Sequence, residues 1–89
     1  MIEQSRRNYD EAKILYDQSL EISRKLENKL LIAQTLGQLG SLAEEQTDLE
    51  LAERLYQEAW QISEQLGAKQ LVEIAEKNLE RVQQARQNA

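Results

Sequence analysis

A group of carboxylates between Glu44 and Glu53 is the first candidate for chemistry in this sequence. Carboxylate oxygens bind hard cations such as Ca²⁺, and the stretch contributes Glu44, Glu45, Asp48, Glu50 and Glu53. A calcium-binding loop also needs a glycine at its sharp turn, and this stretch has none. Because consecutive helical positions point in different directions, we predict solvated acidic surface here and no metal site.

Catalytic groups are also missing. The chain has neither histidine nor cysteine, which removes imidazole and thiol chemistry. No glycine-rich phosphate loop follows a strand pattern, and no serine has a base beside it. We therefore predict that this chain is not an enzyme and binds no cofactor.

Net charge and hydropathy narrow the class of partner. The formal charge of -5 at pH 7 disfavours nucleic acid, since phosphate binding needs a basic face. No apolar run approaches the length of a membrane span, and the first residues lack the apolar segment of a secretory signal. We expect a cytoplasmic protein that binds neither nucleic acid nor membranes.

The composition favours helices along the whole chain. Proline is absent, glycine occurs only three times in 89 residues, and Glu, Gln, Leu, Ala and Lys are good helix formers. We predict an all-α fold of four antiparallel helices with short connections. The expected helices run from about Tyr9 to Leu26, from about Lys29 to Gln46, from just after the turn QTD at residues 46–48 to the residue before Gly67, and from about Lys69 into a tail that frays.

Local signals add detail to these helices. Asn8 with Glu11 matches a capping box at the start of the first helix. Gly67 is suited to a left-handed residue at the end of the third helix. We also expect three ion pairs between residues four apart on one helix: Glu21–Lys25, Glu50–Arg54 and Glu73–Lys77.

The sequence contains an internal repeat, seen by comparing NYDEAKILYDQSL with DLELAERLYQEAW at an offset of 40 residues. The apolar identities within each copy follow the spacing of one helix face. A period in this range indicates a stacked-repeat architecture. The positions identical to their equivalents 40 residues later include Ala12, Leu15, Tyr16, Ile22, Ser23, Leu26, Lys29 and Leu31.

Small residues on the second helix predict a close contact between helices. One face of this helix carries Leu36, Leu39, Gly40 and Ala43. Glycine inside a helix costs about 0.5–1 kcal/mol relative to alanine, so its presence indicates that a neighbour must come close. We predict that the third helix approaches Gly40, with Ala52 and Ala59 facing it and Tyr56 filling the space beside them.

Together these residues resemble the tetratricopeptide repeat. That family's signature has leucine, leucine-glycine and a small residue on the first helix of a unit, then alanine, an aromatic and alanine on the second. The first part is matched by Leu36, Leu39, Gly40 and Ala43, and the second by Ala52, Tyr56 and Ala59, with Ala12, Tyr16 and Ser19 as a further copy. The resemblance implies helix hairpins stacked into a right-handed α-α superhelix that binds a protein or peptide.

Two features depart from the usual family pattern. The family's period is 34 residues, and here it is 40. The additional length lies around QISEQLGAKQL, where Gly67 ends the helix in place of the family's proline. The chain therefore resembles the longer-helix branch exemplified by kinesin light chains and by many bacterial repeat proteins.

The phase of the repeat divides the chain into three parts. Residues 8–28 correspond to the second helix of a partial repeat, 29–67 to a complete repeat, and 68–89 to a C-terminal capping helix. The capping helix has Glu80 and Gln83 at the positions equivalent to Gly40 and Ala43, and such a polar face suits the end of a stack. We expect a fragment of a longer array.

In this family, the first helix of each unit lines a concave groove that holds a peptide or a partner helix. The resemblance implies groove positions at Gln34, Gly37, Gln38, Ser41 and Glu45 on the second helix, and at Ile74, Lys77, Asn78 and Arg81 on the fourth. Gln38 and Asn78 are equivalent across the period, and amides suit the alternating donors and acceptors of a peptide backbone. Lys77 and Arg81 are expected to pair with an acidic ligand group.

Each of these side chains also has a simpler interpretation. Exposed amides and cations on a helix are more often solvated surface than ligand contacts. Tyr16 and Tyr56 fit core packing better than a stacking platform, and Trp60 is expected to lie half-buried between units. Two alternative functions stay open. One is a helical oligomerisation element that self-associates through the unpaired first helix, and the other is the C-terminal sensor tail of a larger signalling ATPase.

Overall fold

The helix-forming composition is realised along almost the whole chain. A computed structural model describes the backbone of residues 2–88 and the side chains of residues 8–88. These residues form four α-helices and no strand: α1 Ile2–Lys25, α2 Lys29–Glu45, α3 Leu49–Leu66 and α4 Lys69–Asn88. The all-α prediction and the number of helices are confirmed.

The first three helices end in the same way, at intervals of twenty residues. A residue with positive φ follows each of them, at Glu27 (55°), Thr47 (58°) and Gly67 (68°). The next N–H then donates to a carbonyl five residues back, which is the Schellman arrangement. These bonds run from Asn28 to Ser23 (2.9 Å), from Asp48 to Ala43 (2.9 Å) and from Ala68 to Ser63 (3.1 Å). The prediction for Gly67 is confirmed, and the short turns make successive helices antiparallel.

The starts of the helices show the same period. The Oδ1 atom of Asn28 accepts from the N–H of Leu31 at 3.1 Å, and Oδ1 of Asp48 accepts from the N–H of Leu51 at 3.3 Å. Such side-chain caps satisfy backbone donors that have no partner within the helix. The third position in this series is Ala68, which has no polar side chain, so α4 starts without this cap.

The outer ends of the chain are more helical than the sequence signals suggest. α1 begins at Ile2, so Asn8 lies inside the helix and the predicted capping box with Glu11 is wrong. Nothing between Ile2 and Arg7 stops helix propagation, because the segment has neither glycine nor proline. At the other end, α4 continues to Asn88 where fraying is expected. Gln83 and Arg86 both donate to Glu53 of α3 and hold the last turns in place.

The four helices form a thin slab with α2 at its centre. The principal dimensions are 40 × 32 × 17 Å, and the smallest is less than two helix diameters of about 10 Å each. α2 contacts each of the other three helices, and α3 also packs on α4. Tyr56 lies in one core cluster with Ala43, Ala52, Leu79 and Val82. A second cluster joins α2 to α3 through Ile32, Leu36 and Ala59.

Trp60 is half-buried, as predicted, and lies at the edge of the first cluster. Its side chain packs against the buried residues of that cluster and is half-buried. Nε1 donates to Glu76 Oε2 of α4 at 3.3 Å, so the apolar ring packs inward while its polar atom reaches the surface.

Among the described side chains, more ion pairs connect two different helices than connect residues of one helix. Within residues 8–88, Lys13–Asp17 (2.9 Å) is the intrahelical pair that forms. The three predicted pairs Glu21–Lys25, Glu50–Arg54 and Glu73–Lys77 do not form among these described side chains. Packing brings other charges together, and the interhelical pairs are Arg24–Glu58, Arg81–Glu44 and Arg86–Glu53. In the part of the chain that the structure describes, no helix is long and apolar enough to cross a membrane.

Candidate binding groove

A groove of about 600 Å³ opens between α2 and α4. Its lining includes six of the nine groove positions that the family resemblance implies: Gln34, Gly37, Gln38, Ser41, Ile74 and Asn78. Both amides of the equivalent pair, Gln38 and Asn78, therefore lie along the same concavity. Glu45, Lys77 and Arg81 are not among the lining residues.

The bottom of the groove is built from the small residues of the repeat. Ala59 and Ser63 of α3 lie there with Ser19 and Tyr16 of α1. Ser63 is buried, and its Oγ donates to the carbonyl of Ala59 at 2.7 Å. Ser23, its equivalent in α1, is also buried and donates to the carbonyl of Ser19 at 2.7 Å. Both hydroxyls are satisfied within their own helix, which lets the neighbouring helices approach closely.

Among the side chains of residues 8–88, none with a formal charge lines the groove. The apolar side chains of Leu31, Leu71 and Ile74 line it together with amides and hydroxyls. A concave, largely apolar site with a few polar groups is the usual character of a ligand pocket. This lining suits a neutral segment better than an acidic one.

Tyr56 connects the groove to the core. The residue is fully buried and lines the groove, and its hydroxyl donates to Glu44 Oε1 of α2 at 3.0 Å. The same hydroxyl lies 3.2 Å from the Oγ atom of Ser41. The prediction that Tyr56 is a core residue is confirmed, and its polar end reaches the groove wall.

Glu44 is the acceptor that joins this wall to α4. Arg81 donates to it twice, from Nε to Oε2 at 2.6 Å and from Nη2 to Oε1 at 2.7 Å. Two parallel bonds of this kind are the strongest geometry available to an arginine and a carboxylate. Nη2 of Arg81 also donates to Oδ1 of Asn78 at 2.9 Å. Glu44 therefore holds together α2, α3 and α4 at the end of the groove.

The protonation states follow from these contacts. The Arg81 guanidinium, assisted by the Tyr56 hydroxyl, lowers the pKa of the Glu44 carboxyl, although partial burial opposes the shift. Hydrogen bonding to Glu44 raises the pKa of Arg81. Burial raises the pKa of the Tyr56 hydroxyl above its ordinary value. At neutral pH the group therefore consists of a carboxylate, a guanidinium and a neutral phenol.

The structure gives two of the predicted residues different surroundings. Arg81 lies outside the groove lining, and its Nε and Nη2 atoms already donate to Glu44 and Asn78. Lys77 is exposed on α4 and lies outside the groove lining. Glu44 itself was not among the predicted groove residues. No local signal could identify it, since its partner Arg81 is 37 positions away.

Comparison with known proteins gives one match. A family model described as tetratricopeptide repeat matches residues 1–65, a span that includes α1, α2 and almost all of α3. No curated protein and no solved structure matches the chain.

Proposed function

Since this chain belongs to the tetratricopeptide repeat family, we propose that its groove binds an extended peptide segment of a partner protein. Repeats of this family mediate protein–protein interaction, and they typically act as non-enzymatic scaffolds. The observation that carries the proposal is the alignment of Gln38 and Asn78 in one concavity. Amides can both donate and accept hydrogen bonds, as a peptide main chain requires.

The character of the lining supports a neutral segment with at least one apolar side chain. Leu31, Leu71 and Ile74 offer apolar surface within the groove, and burying such surface favours binding by about 25 cal/mol per Å². An acidic side chain entering the groove would lose water without meeting a cation among the lining residues that the structure describes. Recognition by charge, through Lys77 and Arg81, is therefore not part of this proposal.

Selection of peptides from a displayed library of random dodecapeptides tests the proposal. Wild-type protein is expected to enrich uncharged sequences that bind in a subsequent titration. Gly37→Trp should abolish this binding, because a Cβ at Gly37 meets nothing within 4 Å and the indole would extend into the groove. Gln65→Trp, at an exposed position of α3 outside the groove, is the matched control and should bind normally. Equal binding by Gly37→Trp would contradict the proposal.

The period supports assignment to the longer-helix branch of the family. Helix ends and helix starts recur every twenty residues in the structure, which gives 40 residues for each helix pair. The usual family unit is 34 residues. On this period alone, we propose that the chain is related to the kinesin-light-chain-like and bacterial repeat proteins.

A second function, self-association through α1, is favoured by one exposed apolar face. Leu15, Ile22 and Leu26 are 64%, 55% and 69% exposed. Their equivalents in α3 include Leu55 and Ile62, which pack against the cluster formed by Ile32, Leu36 and Ala59. The same side chains are thus covered in one copy of the repeat and uncovered in the other.

We propose that the α1 face of a second copy covers this surface in an antiparallel pair. Glu11 and Lys25 are both exposed and lie on the same flank of the Leu15 face. A two-fold axis between antiparallel helices brings the same flank of each copy together. Glu11 of each copy would therefore approach Lys25 of the other, with apolar residues between these two ion pairs. A two-fold arrangement of this kind is closed and self-complementary.

Sedimentation velocity over a range of protein concentrations tests the pairing. Wild type is expected to change from monomer to dimer as concentration rises, and the double variant Leu15→Glu/Ile22→Glu to remain a monomer. Leu30→Glu, which replaces a leucine 48% exposed on α2, is the matched control and should still dimerise. A wild-type monomer at every concentration would contradict the pairing and leave the groove proposal untouched.

A further inference from the structure

The polar atoms at the end of the groove are held in one orientation by contacts behind the groove wall. Glu44 accepts from Tyr56 of α3 and from Arg81 of α4. Ser41 and Asn78, the two groove residues in contact with this group, lie on α2 and α4. The direction of each hydrogen bond follows from which groups are able to donate.

Ser41 is left as an acceptor. A carboxylate cannot donate, so the single hydroxyl hydrogen of Tyr56 is used in the 3.0 Å bond to Glu44. The hydroxyl of Ser41, 3.2 Å from the Tyr56 oxygen, must therefore supply the hydrogen for the bond between them. Ser41 has no second hydrogen, and its Oγ can only accept from a molecule in the groove.

Asn78 is left as a donor. A guanidinium has no acceptor atom, so the atom of Asn78 that lies 2.9 Å from Arg81 Nη2 is the amide oxygen. The NH₂ group of the same amide then remains for the groove. Gln34 and Gln38 also line the groove and are exposed, and the Glu44 group does not fix the orientation of their amides.

We propose that Glu44, acting with Arg81, is a positioning residue that gives the groove a fixed hydrogen-bond polarity. Asn78 donates to a carbonyl of the ligand, and Ser41 accepts from an N–H of the ligand. A neutral peptide main chain carries both groups, whereas a carboxylate or an ester backbone does not. This inference rests on the proposed peptide-binding function and specifies what the groove recognises in the peptide.

Ester substitution in a bound peptide tests the acceptor role. The probe is a dodecapeptide selected on wild-type protein, resynthesised with each main-chain amide replaced singly by an ester, which removes one N–H. On wild type, one ester position is expected to weaken binding roughly fivefold to tenfold, the size of one hydrogen bond. On Ser41→Ala the same ester should bind as well as its parent amide does, because the acceptor is absent.

Glu44→Gln tests whether the polarity depends on the carboxylate. The glutamine amide is able to donate to Tyr56, which frees the tyrosine hydrogen to point at Ser41 and lets Ser41 donate into the groove. In this variant the affinities for the amide peptide and for its ester analogue at that position should differ by about twofold or less. Glu80→Gln removes the same charge from an exposed position of α4 and should keep the wild-type discrimination.

Asn78→Asp tests the role of the Asn78 NH₂ group as a donor, in a protein that keeps the hydrogen bonds between Glu44, Tyr56 and Arg81. The aspartate still accepts from Arg81 but has no NH₂ group for the ligand, so affinity for the parent peptide should fall roughly tenfold. The helical circular dichroism signal should be unchanged. The Ser41→Ala and Asn78→Asp variants keep the inference falsifiable if Glu44→Gln does not fold.

The possible failures are distinguishable. If wild type enriches no peptide, the proposed function and this inference are both overturned. If wild type binds a peptide but amide–ester discrimination persists in Ser41→Ala and in Glu44→Gln, only the inference is overturned. Full affinity of Asn78→Asp for the parent peptide would overturn the donor role in the same way.

Discussion

The ring of Tyr56 lies so close to Gly40 that a Cβ at position 40 would be 2.6 Å from the Cε1 atom of the ring. The ring cannot move aside, because it is fully buried and its hydroxyl is bonded to Glu44. This contact sets the separation of α2 and α3. It also fixes the position of the hydroxyl from which the polarity of the groove follows.

Gly40→Ala is expected to destabilise the protein by about 1–2 kcal/mol, because overpacking at a fixed neighbour costs about 1–3 kcal/mol and improved helix propensity recovers less than that. Gly37→Ala, one turn away on the same helix, is the matched control. Its Cβ would meet nothing within 4 Å, so the variant should gain about 0.5–1 kcal/mol.

Urea unfolding followed by circular dichroism measures both changes as free energies of unfolding. Opposite signs for the two glycines are the expected result. A Gly40→Ala variant as stable as Gly37→Ala would mean that Tyr56 does not press against α2.

The sequence was sufficient to predict this contact in outline, because its determinants are local and repeated. The spacing of Gly40, Ala52 and Ala59 predicts which helices approach, and the 40-residue identities predict that Tyr56 belongs to the core. The pattern does not indicate that the ring of Tyr56 faces Gly40 more directly than Ala52 and Ala59 do. That detail depends on the side-chain rotamer, which sequence spacing does not determine.

The polar network could not be predicted in the same way. The family resemblance implies that Arg81 and Asn78 lie at the groove, but Glu44 is distant from both in sequence. The predicted intrahelical ion pairs are wrong for the same reason. One such pair stabilises a helix by only about 0.2–0.5 kcal/mol, so a long charged side chain can bind a partner on another helix instead. The predicted start of α1 is wrong because a capping signal at Asn8 does not prevent the helix from beginning earlier, at Ile2.

Glu27→Gly should stabilise the protein by about 0.5–1 kcal/mol. Glu27 adopts a φ of 55°, a left-handed conformation that costs a residue with a Cβ about 1–2 kcal/mol. Part of this gain is lost, because glycine raises the conformational entropy of the unfolded chain. Gly67→Ala, at the equivalent turn with φ 68°, is the reverse control and should destabilise by about 1 kcal/mol. Differential scanning calorimetry of both variants checks the pair, and a lower melting temperature for Glu27→Gly would count against the turn geometry.

Ala68→Asp should stabilise α4 by about 1 kcal/mol, the usual effect of an N-terminal cap. The two preceding turns carry such caps at Asn28 and Asp48, and position 68 continues their twenty-residue series. Chemical denaturation checks the gain. Ala68→Leu lacks the acceptor oxygen and should give none, so equal effects of the two substitutions would exclude capping as the cause.

Lowering the pH should reduce the free energy of unfolding, because the Glu44 carboxylate becomes protonated. Its pKa is lowered, chiefly by hydrogen bonding to Arg81, so the folded state binds fewer protons than the unfolded state. The stabilisation is fully present above the ordinary pKa of 4.5 and is lost as pH falls through the lower folded value. Glu53, whose pKa is lowered by Gln83 and Arg86, acts in the same direction.

Unfolding free energies measured between pH 7 and about pH 3 test this expectation. Glu44→Gln should show a shallower loss of stability below pH 4.5 than wild type does. Glu80→Gln, which removes an exposed carboxylate without a pairing partner among the described side chains, should follow the wild-type curve. Identical curves for all three proteins would show that Glu44 does not carry the acid sensitivity.

The central claim is that a neutral peptide binds between α2 and α4, and NMR mapping tests it most directly. A peptide enriched on wild type would be titrated into ¹⁵N-labelled protein, and the side-chain amides of Gln34, Gln38 and Asn78 followed together with the backbone. We predict that the largest shift changes cluster at these amides and at Ser41 and Ile74. Changes confined to the exposed face of α1, or to the surface of α3 that faces away from the groove, would contradict the account.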